Sequence, residues 1–273
     1  MFGRWQNMRD HALEECLQEA LDDGHDVWVV GDVHGFHQTM MRLVGVLDVT
    51  PNDWVVFLGD LIDRGPNSYG VVQAVRTTPN FATVQGNHET MMVAHFDPQQ
   101  LRDQNSDLML WMHNGGDTTV QSYADAFRSQ DGGLDGKEMA VHVDGVREWM
   151  SNLPTHIVLD QWRLVHAGYR PGVAFCEQTN EDRLWIRGPF HNAQAPIDPQ
   201  RTVVFGHTPT VALPGFTKQD WGRAWFSQVE LADGRSAAVG LDTCLYHKGV
   251  EAKHLTAMNL QTGEVVHQCR VEP

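Results

Sequence analysis

The sequence predicts an α/β fold built on a sheet with parallel strands and carrying a helical insertion. Three observations support this. First, short apolar runs each end in Gly plus a polar residue: residues 27–30 before Gly31-Asp32, 54–58 before Gly59-Asp60, and 81–85 before Gly86-Asn87. Continuous runs rich in β-branched and aromatic residues mark strands buried on both faces. Second, helix-like stretches at 37–47 and 68–76 separate these runs, which is the order of βαβ units. Third, residues 96–153 are polar, helix-prone and broken by Asn114-Gly115-Gly116 and Asp131-Gly132-Gly133, which reads as a helical cap.

The remaining elements follow in order. Leu13, Cys16, Leu17, Ala20 and Leu21 recur at helical spacing across residues 8–21, and Gly24 stops the helix. The acidic residues from Glu14-Glu15 to Asp22-Asp23 read as its solvated face. After Pro154, strands are expected at 156–159, 162–165, 203–205 and 237–241. A closing hairpin, 254–260 with 265–269, turns through Gln261-Thr262-Gly263. There is no repeat or linker-like stretch, so residues 1–273 read as one domain with an insertion at about 96–153. Met91, Met92, Met109 and Met112 are assigned to packing, as are Trp111, Trp149, Trp221 and Trp225.

The chain has 273 residues, with 35 acidic and 20 basic side chains and a formal net charge of −15. That balance argues against a nucleic-acid or anionic-membrane binder, whose grip rests on basic surface. The four cysteines have no CxxC spacing, so neither a zinc cluster nor a disulfide scaffold is expected. The N-terminal segment is charged and has no apolar core, and no run approaches the length of a membrane span, so a cytoplasmic location is expected. Histidine is abundant, at 15 residues.

The expected strand ends carry the chemistry. They read Gly31-Asp32-Val33-His34-Gly35, Gly59-Asp60-Leu61-Ile62-Asp63-Arg64-Gly65 and Gly86-Asn87-His88-Glu89, with His166-Ala167-Gly168 and Gly206-His207-Thr208 later. In parallel sheets, ligands bind outside the carboxyl ends of the strands, so these motifs share one rim. Imidazole, carboxylate and amide oxygen together suit Mn, Fe or Zn better than Ca. A carboxylate such as Asp60 can bridge two ions, and ions about 3.5–4 Å apart are the recurring device for phosphoryl transfer to water.

These motifs, with Trp111-Met112-His113-Asn114-Gly115-Gly116, Phe205-Gly206-His207-Thr208-Pro209 and Leu241-Asp242-Thr243, resemble the phosphoprotein phosphatase branch of the metallophosphoesterases, notably its small bacterial and bacteriophage members. The resemblance runs from about Val27 to Thr243. It implies a central β-sandwich flanked by helices. It also implies two divalent ions, with Mn2+ first and Fe, Zn or Mg as alternatives. Asp32, His34 and Asp60 would hold one ion, and Asp60, Asn87, His166 and His207 the other. The catalytic set would be His88 as general acid, Asp63 orienting it, and Arg64 and Arg187 gripping the phosphate. Asn87 would join the two arginines in contacting substrate, and Tyr169 with Arg170, directly after His166-Ala167-Gly168, is placed at the cleft by that adjacency alone.

The implied reaction is in-line attack by a shared hydroxide on a protein phosphoserine or phosphothreonine, with phosphotyrosine and small phosphoesters admitted. The oligomeric state is left open with a monomer favoured, and the acidic composition leads to no nucleic-acid or membrane partner being expected. The alternative is a symmetrical bis(5'-nucleosyl)-tetraphosphate (Ap4A) hydrolase. Those enzymes typically carry Ala at the position of Asp63 and Asp at that of Glu89, which favours the phosphatase. Two departures stand out: Ala167 where the family usually has Gly, and Cys244 where it more often has Gly.

Overall fold

In the computed structural model, which describes residues 9–95, 110–249 and 251–273, strand β1 (Val27–Val30) is buried at all four positions. Period-2 alternation decides what lies on each side. Val27 and Val29 pack with Val56, Leu58 and Met258 against Ile157, Leu164, Val204 and Val239. Trp28 and Val30 point the other way, with Val55 and Phe57, onto Met40 and Leu43 of helix α2 (His37–Leu47) and Val71, Val72 and Val75 of helix α3 (Ser68–Thr77). Each such side chain contributes about 1.5–3 kcal/mol on full burial.

The strands form two five-stranded sheets rather than one parallel sheet. In the first, β2 (Trp54–Phe57) lies between β1 and β3 (Phe81–Thr83), all parallel. The hairpin, called β9 (His254–Asn259) and β10 (Val265–Cys269) in chain order, adds antiparallel to β1. In the second, β5 (Trp162–Val165), β6 (Thr202–Phe205) and β8 (Ala238–Gly240) are parallel. They are flanked by antiparallel edges β4 (His156–Val158) and β7 (Trp225–Phe226). The two sheets stack face to face, as the resemblance implies. Strand β7 is two residues long and left no sequence signal.

Helix α1 (His11–Asp22) is capped by Asp10, whose carboxylate accepts from Leu13 N. Its acidic face is not wholly solvated. Glu14 is buried, accepts two hydrogen bonds from Arg9 and one from Val158 N, and ties the helix to β4. The expected helix start at residue 8 and residues 96–109 of the insertion, Met109 included, lie outside the described residues. The described rest of the insertion holds a π-type turn (Met112–Gly116), α5 (Asp117–Ala126) and α6 (Gly136–Ser151), after helix α4 (Asn87–His95), with α5 and α6 joined by a turn that an Arg128–Leu134 bridge closes. Trp111, Tyr123, Val146 and Met150 join the same core cluster as α2 and α3, so the insertion packs onto the body. No described helix is long and apolar enough to cross a membrane.

Two buried polar groups outside the rim shape stability. Helix α2 has no side-chain cap of its own at Phe36. Glu272, near the far end of the chain, supplies one: its carboxylate accepts from Gln38 N at 2.6 Å, from Thr39 N at 3.2 Å and from Thr39 Oγ1. In β4, His156 is buried beside Arg183 and Arg163, and burial with those cations pushes its imidazole down to about 3.

Glu272→Ala is expected to lower unfolding stability by about 1–2 kcal/mol, as loss of a helix N-cap does. An unchanged urea midpoint would remove Glu272 as the cap. His156 folds neutral, so its contribution is complete above pH 6.5 and declines as pH falls toward 3, because the unfolded chain takes up the proton first. Over that window His156→Gln is expected to flatten the pH dependence of stability by up to about 1.4 kcal/mol per pH unit. Parallel wild-type and variant profiles would contradict this.

Candidate metal centre

The strand ends converge as the sheet order requires. Backbone hydrogen bonds knit the loops together: Val33 N and His34 N donate to Asp60 O, and Gly206 N donates to His166 O. Glu89, on the first turn of α4, clamps two loops at once. Its Oε2 accepts from Asp60 N at 2.9 Å and Gly86 N at 2.8 Å, and its Oε1 accepts from Leu61 N at 2.8 Å. Glycine is required where carboxylates press on the backbone. A Cβ at Gly206 would lie 2.1 Å from Asp32 Oδ1, and one at Gly86 would meet both Asp60 and Glu89. Among the described residues eight non-glycine positions have positive φ, and five of them stand here: His34, Asp60, Asp63, Arg64 and His207. Left-handed backbone costs such residues about 1–3 kcal/mol each, and strain of this kind clusters at functional sites.

Asp60 is central. Its Oδ2 lies 3.6 Å from His34 Nε2 and 3.8 Å from His88 Nε2, and its Oδ1 lies 3.3 Å from His166 Nε2. Asp32 Oδ2 is 4.0 Å from His34 Nε2, and both Asp32 oxygens accept from His207 N at 3.0 Å. Asn87 Oδ1 lies 2.8 Å from His166 Nε2 and 2.9 Å from His207 Nδ1. Two overlapping sets of ligand atoms result, His34–Asp60–His88 and Asp60–His166–His207. The first differs from the expected set by bringing His88 closer to Asp60 than Asp32 is to His34.

The chemistry of the donors fits bound cations. Burial holds the His34, His166 and His207 imidazoles below their usual range, hence neutral, the form that ligates metals. His34 Nδ1 donates to Ile62 O at 2.9 Å and His166 Nδ1 to Leu58 O at 2.7 Å. Each ring therefore turns an Nε2 lone pair toward Asp60, the second-layer arrangement usual for ligating histidines. The Arg64 guanidinium, which can only donate, sits 2.7 Å from His34 Nε2 and confirms the tautomer. Asp32, Asp60, Asp63, Glu89 and Asp242 are each at most 3% exposed. Burial, Asp242 and Asp60 raise Asp32 well above the carboxylate range, and burial with Asp60 raises Glu89 to about 7. Burial also opposes ionisation of Asp60, but the charge that the surrounding His166, His88, His34 and His207 carry when protonated holds it below its usual value, a role that bound cations would take over once the rings are neutral ligands. So much buried carboxylate calls for positive charge within contact distance.

The other expected residues divide. His88 Nδ1 donates to Asp63 Oδ2 at 2.6 Å, and His88 is buried against the edge of His34, ring centroids 4.7 Å apart. Arg187 is exposed and donates to Thr208 Oγ1 at 3.0 Å, beside His207. Tyr169 does not line the cleft. Although it follows the His166 motif in sequence, it is 0% exposed and packs against His156 and Phe175 in the second sheet's outer core. Cys244 is buried at φ +68, which accounts for glycine being the usual residue there, and burial pushes its thiol up to about 12, an inert state.

Three residues near the centre go beyond the expected site: Tyr246 and Thr119 stand in no motif, and Trp111, though it opens the Trp111–Gly116 run, reads from sequence as packing. Tyr246 lies under the Arg64 guanidinium, 3.9 Å from ring centroid to Cζ, and edge-on to His34. Trp111 and Thr119, from the insertion, reach the Asp63 carboxylate.

Comparison with known proteins agrees with this geometry. Residues 25–233 match the calcineurin-like phosphoesterase family. The chain is 31% identical over 228 residues to serine/threonine-protein phosphatase 1 of Salmonella typhimurium, covering 80% of this chain and 97% of that protein. It is 36% identical over 70 residues, 25% of each chain, to the symmetrical bis(5'-nucleosyl)-tetraphosphatase of Methylococcus capsulatus. The solved metallophosphoesterase of Sphaerobacter thermophilus shares the fold with a TM-score of 0.52 at 14% identity, over 91% of this chain and 89% of that one. With a family match across most of its length and the family's donor residues gathered at one rim, the chain belongs to the calcineurin-like phosphoesterases and is a hydrolase of phosphoric esters.

Proposed function

We propose that the protein is a two-metal phosphomonoesterase acting on phosphoserine and phosphothreonine in proteins. Asp32, His34 and Asp60 would hold one cation, and Asp60, Asn87, His166 and His207 the second. The mixed nitrogen and oxygen donors suit Mn2+. Bound there, the cations supply Lewis acidity and a water of lowered pKa.

The chain's own groups handle the rest. Arg64 and Arg187 present planar guanidinium forks suited to phosphate oxygens. Tyr246 stacks under Arg64 and limits its swing. His88, oriented through Nδ1 by Asp63, turns Nε2 toward Asp60, and from there it would protonate the departing oxygen.

The buried His88–Asp63 pair is the observation that carries this reading. A serine or threonine alkoxide is a poor leaving group and needs a proton as its bond to phosphorus breaks. The leaving group of a dinucleoside polyphosphate is itself a stabilised phosphate anion and has little need of one. The Salmonella relative, matched along nearly its whole length, supports the same choice. The Methylococcus relative keeps dinucleoside tetraphosphate hydrolysis as the second reading.

A substrate panel under Mn2+ is expected to show faster turnover of a phosphoserine peptide than of diadenosine tetraphosphate at equal enzyme, and the reverse order would overturn the proposal. His88→Asn is expected to cut kcat on the phosphopeptide by about 10²–10⁴-fold. The loss on p-nitrophenyl phosphate, whose phenolate leaves unaided, should be smaller, and equal losses would exclude His88 as the acid. His207→Asn is expected to reduce bound metal, measured by elemental analysis after dialysis, and full metal content would remove His207 from the ligands.

A further inference from the structure

The insertion is expected to shape substrate choice, as binding loops on rigid scaffolds do, yet two of its side chains turn inward to the site. Asp63 is 0% exposed, and every acceptor position on its carboxylate is used. Oδ2 accepts from His88 Nδ1 at 2.6 Å and from Trp111 Nε1 at 2.9 Å. Oδ1 accepts from Thr119 Oγ1 at 2.6 Å and, more distantly, from Trp111 Nε1 at 3.2 Å. The Asp63 backbone, at φ +73, donates to Thr119 Oγ1 and Ser68 Oγ, both at 3.0 Å. Thr119 and Ser68 are themselves 2.9 Å apart.

The bracing extends to Arg64. Its N–H donates to Gly115 O at 3.3 Å, and Gly115, at φ +101, lies so close that a Cβ there would be 2.8 Å from Arg64 N. Trp111 is fully buried, and its indole rests on Gly116, where a Cβ would strike the ring. A carboxylate held at both oxygens keeps one orientation, and it favours the one ring orientation in which His88 Nδ1 can donate to it.

We propose, building on the reading of His88 as general acid, that Trp111 and Thr119 are positioning residues for proton delivery. The indole N–H and the hydroxyl lock the Asp63 carboxylate and, through it, the direction of His88 Nε2. The insertion is on this view a structural part of the acid machinery as well as a cover for the cleft. The two residues act when a proton is needed at the leaving oxygen, and they leave phosphate capture by Arg64 and Arg187 to other contacts.

The test compares wild type, Thr119→Val, Thr119→Ser and Trp111→Phe on a phosphoserine peptide and on p-nitrophenyl phosphate, with Mn2+ saturating and thermal unfolding measured for each. Thr119→Val keeps shape and removes the hydroxyl. It is expected to lower kcat on the phosphopeptide by about tenfold or more, with KM nearly unchanged and a markedly smaller loss on p-nitrophenyl phosphate. Thr119→Ser is expected to restore the phosphopeptide rate. Trp111→Phe is expected to follow Thr119→Val, and if it does not fold, the two Thr119 variants decide the matter. Introduced into His88→Asn, Thr119→Val is expected to cost nothing further, since residues acting as a unit are non-additive. Equal losses on both substrates, a change confined to KM, no rescue by serine, or additive losses in the double variant would each overturn the proposal. The parent reading fails separately, when wild type itself prefers diadenosine tetraphosphate or His88→Asn loses equally on both esters.

Discussion

The arrangement of the rim depends on keeping the Asp60 carboxylate ionised where water does not reach. An isolated charge of that kind costs several kcal/mol to bury. Four imidazoles face it, and it accepts from the His88 backbone N–H at 3.0 Å. Two of those rings, His34 and His166, are themselves aimed by backbone carbonyls at Ile62 and Leu58. The neighbouring carboxylates Asp32 and Asp242 are pushed up by burial, Asp242 to about 6. The cluster therefore carries more latent negative charge than Arg64 and Arg187 can match. Divalent cations held between the two donor sets would resolve that imbalance, so the same residues could satisfy both the electrostatic and the coordination requirement.

Such a cluster sits on strained loops, and the strain must be held by something rigid. The stacked sheets provide it. The inner residues Val29, Val56, Leu164 and Val204 are all 0% exposed, and the strands they belong to end at the rim. Cross-loop bonds then fix the left-handed residues: Glu89 holds the Asp60 loop against the Gly86 loop, and the His34 backbone bonds to Asp60. A loop free to relax would lose the left-handed turns at His34, Asp60 and His207 and scatter the donors. The close packing that admits only glycine at Gly86 and Gly206 follows from the same demand.

The strands, the sheet ends and the donor residues were legible in the sequence because the chemistry dictates residue type at fixed local spacing. Asp32 and His34 stand two apart on one loop, and each apolar run announces its own end. What was not legible depends on contacts distant in sequence. Trp111 meets Asp63 across 48 positions and Thr119 across 56, and a lone buried Trp reads by default as packing. Glu272 caps a helix 234 positions away. Tyr169 misled for the opposite reason: adjacency to His166 suggested the cleft, but its ring belongs to the core behind the second sheet. Histidine abundance was likewise a poor guide. His34, His88, His166 and His207 gather at the rim, whereas His142 packs on Tyr69 and Phe127, His191 stacks on Phe205, and His254 lies beside His267 on the edge hairpin.

The two kinds of relative differ in what must leave phosphorus, and that difference falls on a particular part of this molecule. On the proposed reading, cations held by Asp32, His34, Asp60 and His166 would serve the attacking side and the phosphoryl oxygens, demands common to esters and anhydrides. Only the departing oxygen separates an alkoxide from a phosphate anion, and in this structure the groups facing that task run from His88 to Asp63 and on into the insertion at Trp111 and Thr119. Burial of the Asp63 carboxylate is offset by the hydrogen bonds that both of its oxygens accept, and those same bonds fix its orientation. A fixed orientation is what the proposed delivery of a proton to an alkoxide leaving group would need. On the proposed reading, leaving-group preference in this protein would be set where the insertion joins the rim, by groups separate from those that would hold the cations.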